Sequence, residues 1–153
     1  MHLLYLLTQS LDSPSGLGRY YPLAKELVRR GHQVDIVALH PDIRSLPERE
    51  YLDHGIRVSY VAPMHVRKHG SEKTYYSPAQ LAGIILQATW KETAAALTTS
   101  TDLIHVFKPH PMNGLAGLAG KYLRGKPLVL DYDDYEAGSN RFGGAWQKKV
   151  VSF

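Results

Sequence analysis

The chain has 153 residues, enough for one domain with a real core. Hydrophobic residues make up 44% and charged residues 21%, a globular balance that excludes disorder over most of the chain. The net charge of +4 suits anionic partners without requiring them, and the absence of cysteine excludes disulfide frameworks and thiolate metal sites.

No apolar run approaches the ~20 residues of a membrane helix. Met1-His2 before a short leucine run does not read as a basic leader. The apolar segment His2–Leu7 predicts a buried first strand. Residues 8–15, with Asp12, Pro14 and three serines, read as a loop. Over 18–30 the period becomes helical, with Tyr20, Leu23, Ala24, Leu27 and Val28 on one face, Arg29 and Arg30 in the last turn, and Gly31 as the stop. Residues 33–39 predict the second strand, and 56–61 the third, introduced by Gly55.

Residues 62–76 hold Pro63, His65, Arg67, Lys68, His69 and Gly70 and read as a mobile basic loop. Ser77-Pro78-Ala79-Gln80 is a capping box with proline at the first helical position. It starts a long helix to about Thr98, in which Trp90 and Lys91 read as helix packing. Residues 102–107 predict a fourth strand, 113–123 a small-residue helix stopped by Gly125, 127–130 a fifth strand, and 142–153 a further helix.

Strands alternate with helices, which predicts an α/β, Rossmann-like, doubly wound and mostly parallel sheet with helices on both faces. Such sheets bind ligands beyond the carboxyl ends of their strands. The loops 8–18, 40–46, 62–76, 108–112 and 131–141 are therefore the functional candidates.

The first is the turn Ser15-Gly16-Leu17-Gly18. Glycine lets backbone N–H groups approach an anion at a helix start. A dinucleotide fingerprint would need a small residue where Tyr21 stands and an acid closing the second strand, where Leu39-His40 stands instead. No Gly-Lys-Ser/Thr follows, which removes the phosphate-binding loop of nucleoside triphosphatases. The plain alternative is a tight turn that holds no ligand.

Strand, loop, Ser15-Gly16-Leu17-Gly18-Arg19-Tyr20-Tyr21, then Leu23-Ala24-Lys25-Glu26-Leu27 and Arg30-Gly31-His32-Gln33-Val34 together resemble the N-terminal, acceptor-side domain of GT-B glycosyltransferases, in particular family 4, retaining enzymes that use an activated sugar. In that family the turn lies beside the donor phosphates and the acceptor. The resemblance implies that Ser15, Gly16, Gly18 and Arg19 are cleft residues.

Asp102-Leu103-Ile104-His105-Val106-Phe107-Lys108-Pro109 looks like the family's fourth strand. Many members carry a second histidine where this chain has Phe107. Lys108 or His110 could face the cleft in its place, and His105 has the alternative of a strand histidine paired to backbone. In the acidic run Asp131, Asp133, Asp134, Glu136, Asp131 and Asp133 would point the same way on a strand and could hold a divalent cation. That pair is a mark of the other major fold, GT-A; the GT-B resemblance implies no metal. It implies instead that Asp133 or Asp134 accepts acceptor hydroxyls or pairs with Arg19. A solvated acidic turn is the plain alternative. On the basic loop, His65, Arg67 and Lys68 could clamp an acceptor phosphate or sulfate, or touch acidic lipid. Tyr75, Tyr76, Tyr132 and Tyr135 could stack on sugar rings.

By resemblance, residues 1–153 form the N-terminal half of a GT-B enzyme, unfinished at the carboxyl end and without the donor-binding domain. The expectation is transfer from a nucleotide sugar, a co-substrate rather than a cofactor, to an unidentified acceptor, with no metal and no activity without the donor domain. Catalytic residues are not assigned. A cytoplasmic location, with possible contact at the inner membrane face, is expected, and nucleic acid is not an expected partner. The main alternative is a stand-alone Rossmann-like module that binds a phosphorylated small molecule without catalysis.

Overall fold

Strand β1 (His2–Leu7) is buried on both faces from Leu3 to Leu7. A strand apolar on both faces belongs in the middle of a parallel sheet. In the computed structural model, which describes residues 1–69 and 72–132, β1 pairs in parallel with β2 (Gln33–His40) on one side and with β7 (Leu103–Phe107) on the other. Outward lie β4 (Ile56–Pro63) next to β2 and β8 (Leu128–Asp131) next to β7, both parallel. With β3 (Glu50–Asp53) at one edge, the order is β3-β4-β2-β1-β7-β8.

The chain steps in opposite directions from β1, so right-handed crossovers put helices on opposite faces. A wide helical turn, Gly16–Tyr20, runs into α1 (Tyr21–Arg29). This helix covers the face of Leu3, Tyr5 and Leu7 through Tyr20, Ala24, Leu27 and Val28. Helices α2 (Pro78–Thr98) and α3 (Pro111–Arg124) pack on each other and cover the face of Leu4 and Leu6. The α/β, doubly wound, mostly parallel architecture with helices on both faces is therefore as the alternation predicts.

Four local expectations change. First, the edge strand β3 (Glu50–Asp53), unseen in the sequence, pairs antiparallel with β4. The connection is the pair His54-Gly55, both at positive φ (47° and 79°). Two left-handed residues in a two-residue loop match the twist of a hairpin, and Asp53-His54-Gly55 is the signal that carried it. Second, much of the presumed loop 62–76 is strand: β4 continues to Pro63, and β5 (Val66–His69) pairs antiparallel with β6 (Glu72–Tyr75) as a second small sheet.

Third, Ser15–Gly18 is not a turn. The helix begins earlier, where Gly16 N–H donates to Ser13 Oγ at 3.0 Å and Leu17 N–H to the Ser13 carbonyl at 2.9 Å. Pro14 follows the cap at a position where it has no N–H to lose. Gly16 is needed for contact, because a Cβ there would lie 2.3 Å from the Leu11 carbonyl oxygen. Leu11 is held in place by its own N–H donating to Tyr60 Oη at 3.2 Å. Fourth, Trp90 does not pack the helix: it is 72% exposed on the outside of α2. The helix expected over 142–153 lies outside the described residues.

Candidate functional site

The carboxyl ends of β1 and β7 are drawn together by one buried side chain. Asn113, in the first turn of α3, donates through Nδ2 to the carbonyls of Phe107 (2.9 Å) and Leu6 (3.3 Å). Its Oδ1 accepts the His110 N–H at 2.7 Å. A buried amide that satisfies carbonyls from two strands fixes their relative height.

Against that platform, Asp131 closes β8. Its carboxylate pairs with the Arg19 guanidinium and stands 4.0 Å from His105 Nε2. Its backbone carbonyl accepts the Lys108 N–H at 2.9 Å. His105 is stacked on Phe107 at 3.9 Å between ring centres and meets Tyr5 edge-on at 5.2 Å. Burial lowers the His105 pKa; Asp131 pulls it back up, and Arg19 pushes it down. The neutral imidazole is thereby favoured, with a carboxylate and a guanidinium beside it. The Tyr5 hydroxyl is buried without a hydrogen-bond partner among the described residues. Its pKa is raised by burial first and by Asp131 second. Such a cluster can bind anions through Arg19, accept hydroxyl protons through Asp131 and offer a neutral imidazole to a reacting group.

With this geometry in place, the sequence comparison is decisive: the profile of Glycosyltransferase Family 4 matches residues 15–151.

The chain belongs to Glycosyltransferase Family 4.

Among solved structures, the chain is similar to sucrose-phosphate synthase from Thermosynechococcus elongatus, at 13% identity and a TM-score of 0.60. That alignment covers 99% of this chain and 39% of the synthase, so the chain spans about two-fifths of the enzyme it resembles. It is also similar to the C-terminal domain of a hydrogenase from Pyrococcus furiosus, at 17% identity, a TM-score of 0.56, and 86% and 90% coverage. At these identities the likeness concerns the fold. No curated protein matches the chain. No helix among the described residues is long and apolar enough to cross a membrane.

Within this family member the expected site residues divide. Ser15, Gly16, Gly18 and Arg19 lie together at the start of the helical segment, and Arg19 reaches the sheet end. The Gly16 N–H, expected to meet an anion, is taken by Ser13. Gly18 is exposed, and a Cβ there would meet no described atom within 4 Å. Phe107 is core, 1% exposed beneath Tyr5 and Tyr20, so this position faces the interior. Lys108 adopts positive φ (48°) beside Asp131. His110 precedes α3, and its ring lies 5.8 Å from that of His65. Arg67 sits apart, on the hairpin, over the ring of Tyr76 at 4.6 Å. Lys68 is carried by β5. Asp133 and Asp134 lie outside the described residues; among the described residues, Asp131 pairs with Arg19.

Sequence reading undervalued Asp131, Tyr5 and Asn113. For Asp131 a signal existed, since it ends the fifth predicted parallel strand, where such sheets place their ligands. Asn113 gave none: its role depends on a turn, 108–110, that returns α3 beneath two strand ends.

Proposed function

We propose that this chain is the acceptor-side half of a retaining, metal-independent glycosyltransferase. It takes a sugar from a nucleotide sugar and turns over only with a donor-binding domain. The observation that carries the reading is the Arg19–Asp131–His105 group at the carboxyl end of the sheet, within a Glycosyltransferase Family 4 chain. Retaining transfer needs positive charge opposite a departing diphosphate. Arg19 is one such charge, and a single guanidinium half-neutralised by Asp131 is too little for the whole task. A donor domain would supply the remainder and close over the exposed Gly18.

The test is complementation. The chain is mixed or fused with a family 4 donor-binding domain and supplied with radiolabelled nucleotide sugars and a panel of acceptors. The expected result is transfer with retained anomeric configuration in the mixture and none from either part. Transfer by the chain alone at rates typical of enzymes overturns the two-part reading. An inverted product overturns the retaining assignment.

A further inference from the structure

A second concave surface lies beyond the carboxyl ends of β2 and β4, away from Asp131. It is an open cleft of about 500 Å³ between the loop that follows β2, the β5–β6 hairpin and the first turns of α2. That is the size range of small-molecule sites.

Three features of its walls converge. The first is charge: among the described residues, Arg44 and Arg67 line it together with one carboxylate, Asp42. The second is preorganisation. Arg67 lies on the face of Tyr76, 4.6 Å from the ring centre. A guanidinium laid on a ring loses little further freedom when the N–H groups on its rim bind a phosphate.

The third is Gly83. Gln80, Gly83, Ile84 and Gln87 form one stripe of α2 that faces the cleft, at helical spacing. Glycine inside a helix is destabilising relative to alanine. At Gly83 nothing in the fold asks for it: φ is not positive, and an added Cβ would meet no described atom within 4 Å. A bare patch of helix backbone on a cleft wall admits a close-lying ligand. The adjoining apolar surface of Ile84 and Pro63 suits the carbon face of a sugar ring, and the amide of Gln87 and the carboxylate of Asp42 suit its hydroxyls. A nucleobase fits less well, because the face of the cleft's aromatic ring already carries Arg67.

We infer that this cleft binds a phosphorylated sugar or polyol, its phosphate on Arg67 and Arg44 and its ring against Gly83. Resting on the glycosyltransferase reading above, this names the class of acceptor. The phosphate-bearing end is anchored on the hairpin side, and a free hydroxyl projects toward the strand ends.

The chain is titrated with glucose 6-phosphate, glucose, inorganic phosphate and acidic phospholipid vesicles, with backbone amide shifts as the readout. Glucose 6-phosphate is expected to shift Gly83 and Gln87 saturably, inorganic phosphate to bind more weakly, and glucose not at all. Arg67→Ala should weaken glucose 6-phosphate binding roughly tenfold, the value of a charge-assisted hydrogen-bond pair. Gly83→Ala should weaken binding while raising the thermal midpoint. A purely structural glycine would not separate the two. The proposal is overturned by no saturable binding, by binding unchanged in both variants, by shifts confined to Arg19 and His105, or by binding to vesicles alone. Transfer by the complemented enzyme that is indifferent to both variants would remove the cleft as acceptor site and leave the glycosyltransferase reading intact. Binding without transfer would do the reverse.

Discussion

Arg19 and Asp131, 112 residues apart in the chain, form an ion pair that joins the start of the first helix to the end of the last described strand. The carboxylate is the more buried partner, 19% exposed against 38% for the guanidinium. The contact sets where a positive charge sits at the sheet end, and it makes the environment of His105 depend on both partners.

The first prediction concerns that dependence. Burial holds the His105 pKa below its ordinary 6.5, with Asp131 opposing and Arg19 assisting. Arg19→Ala should therefore raise the imidazole pKa, and Asp131→Asn should lower it, as followed by NMR of the ring. Because the folded-state value is depressed, the stability contributed by neutral His105 is complete above about 6.5 and is lost as pH falls below it. Identical titration curves in the wild type and both variants would contradict the geometry.

Glu92 gives a pH effect of the opposite sign. It is 0% exposed in α2, both carboxylate oxygens lack partners among the described residues, and burial raises its pKa well above 4.5. The folded state keeps the proton that the unfolded state releases, so stability from this group declines as pH rises above about 4.5. Glu92→Gln removes the ionisation at little change in volume. Thermal melts should show the variant gaining on the wild type from pH 5 to pH 8, by about 1–3 kcal/mol at the upper end.

Gly16 and Gly18 should separate sharply. Gly16→Ala drives a Cβ into the Leu11 backbone, which Tyr60 holds in place. A loss of about 2–4 kcal/mol is expected in urea unfolding. Gly18→Ala meets open space and should be neutral or stabilising by up to about 1 kcal/mol. Equal effects at the two positions would argue against the helical geometry of this segment.

Asn113→Leu keeps the volume and removes the amide, leaving the Leu6 and Phe107 carbonyls and the His110 N–H without it. The expected cost is about 2–4 kcal/mol, measured by denaturant titration. Amide exchange should rise first at the ends of β1 and β7.

The repeat of strand and helix was legible because it is written in local periodicity. The apolar run at 2–7, the stripe Tyr20-Leu23-Ala24-Leu27-Val28 and the Ser77–Gln80 capping box each need only neighbours a few residues away, and the structure has all three except that Leu23 is turned to the exposed surface. The hairpin at His54-Gly55 was written just as locally, but in a histidine-glycine pair rather than the commoner asparagine-glycine. The fate of Gly16 was not legible. A glycine kept for φ and a glycine kept for contact look the same in sequence, and only the return of Leu11 over the helix distinguishes them.

The class of fold and the membership of Glycosyltransferase Family 4 follow from apolar spacing and motif order, which need no coordinates. Which charges meet depends on how distant segments pack. Asp133 or Asp134 is the partner that the resemblance implies for Arg19; among the described residues, the parallel register Phe107–Asp131 brings Asp131 to it. Likewise, Arg44, Arg67 and Gly83 come from three separate segments and become one cleft wall only when β2 and β4 end side by side. Contacts between segments far apart in the chain depend on register and crossover hand, which no local pattern of residues encodes.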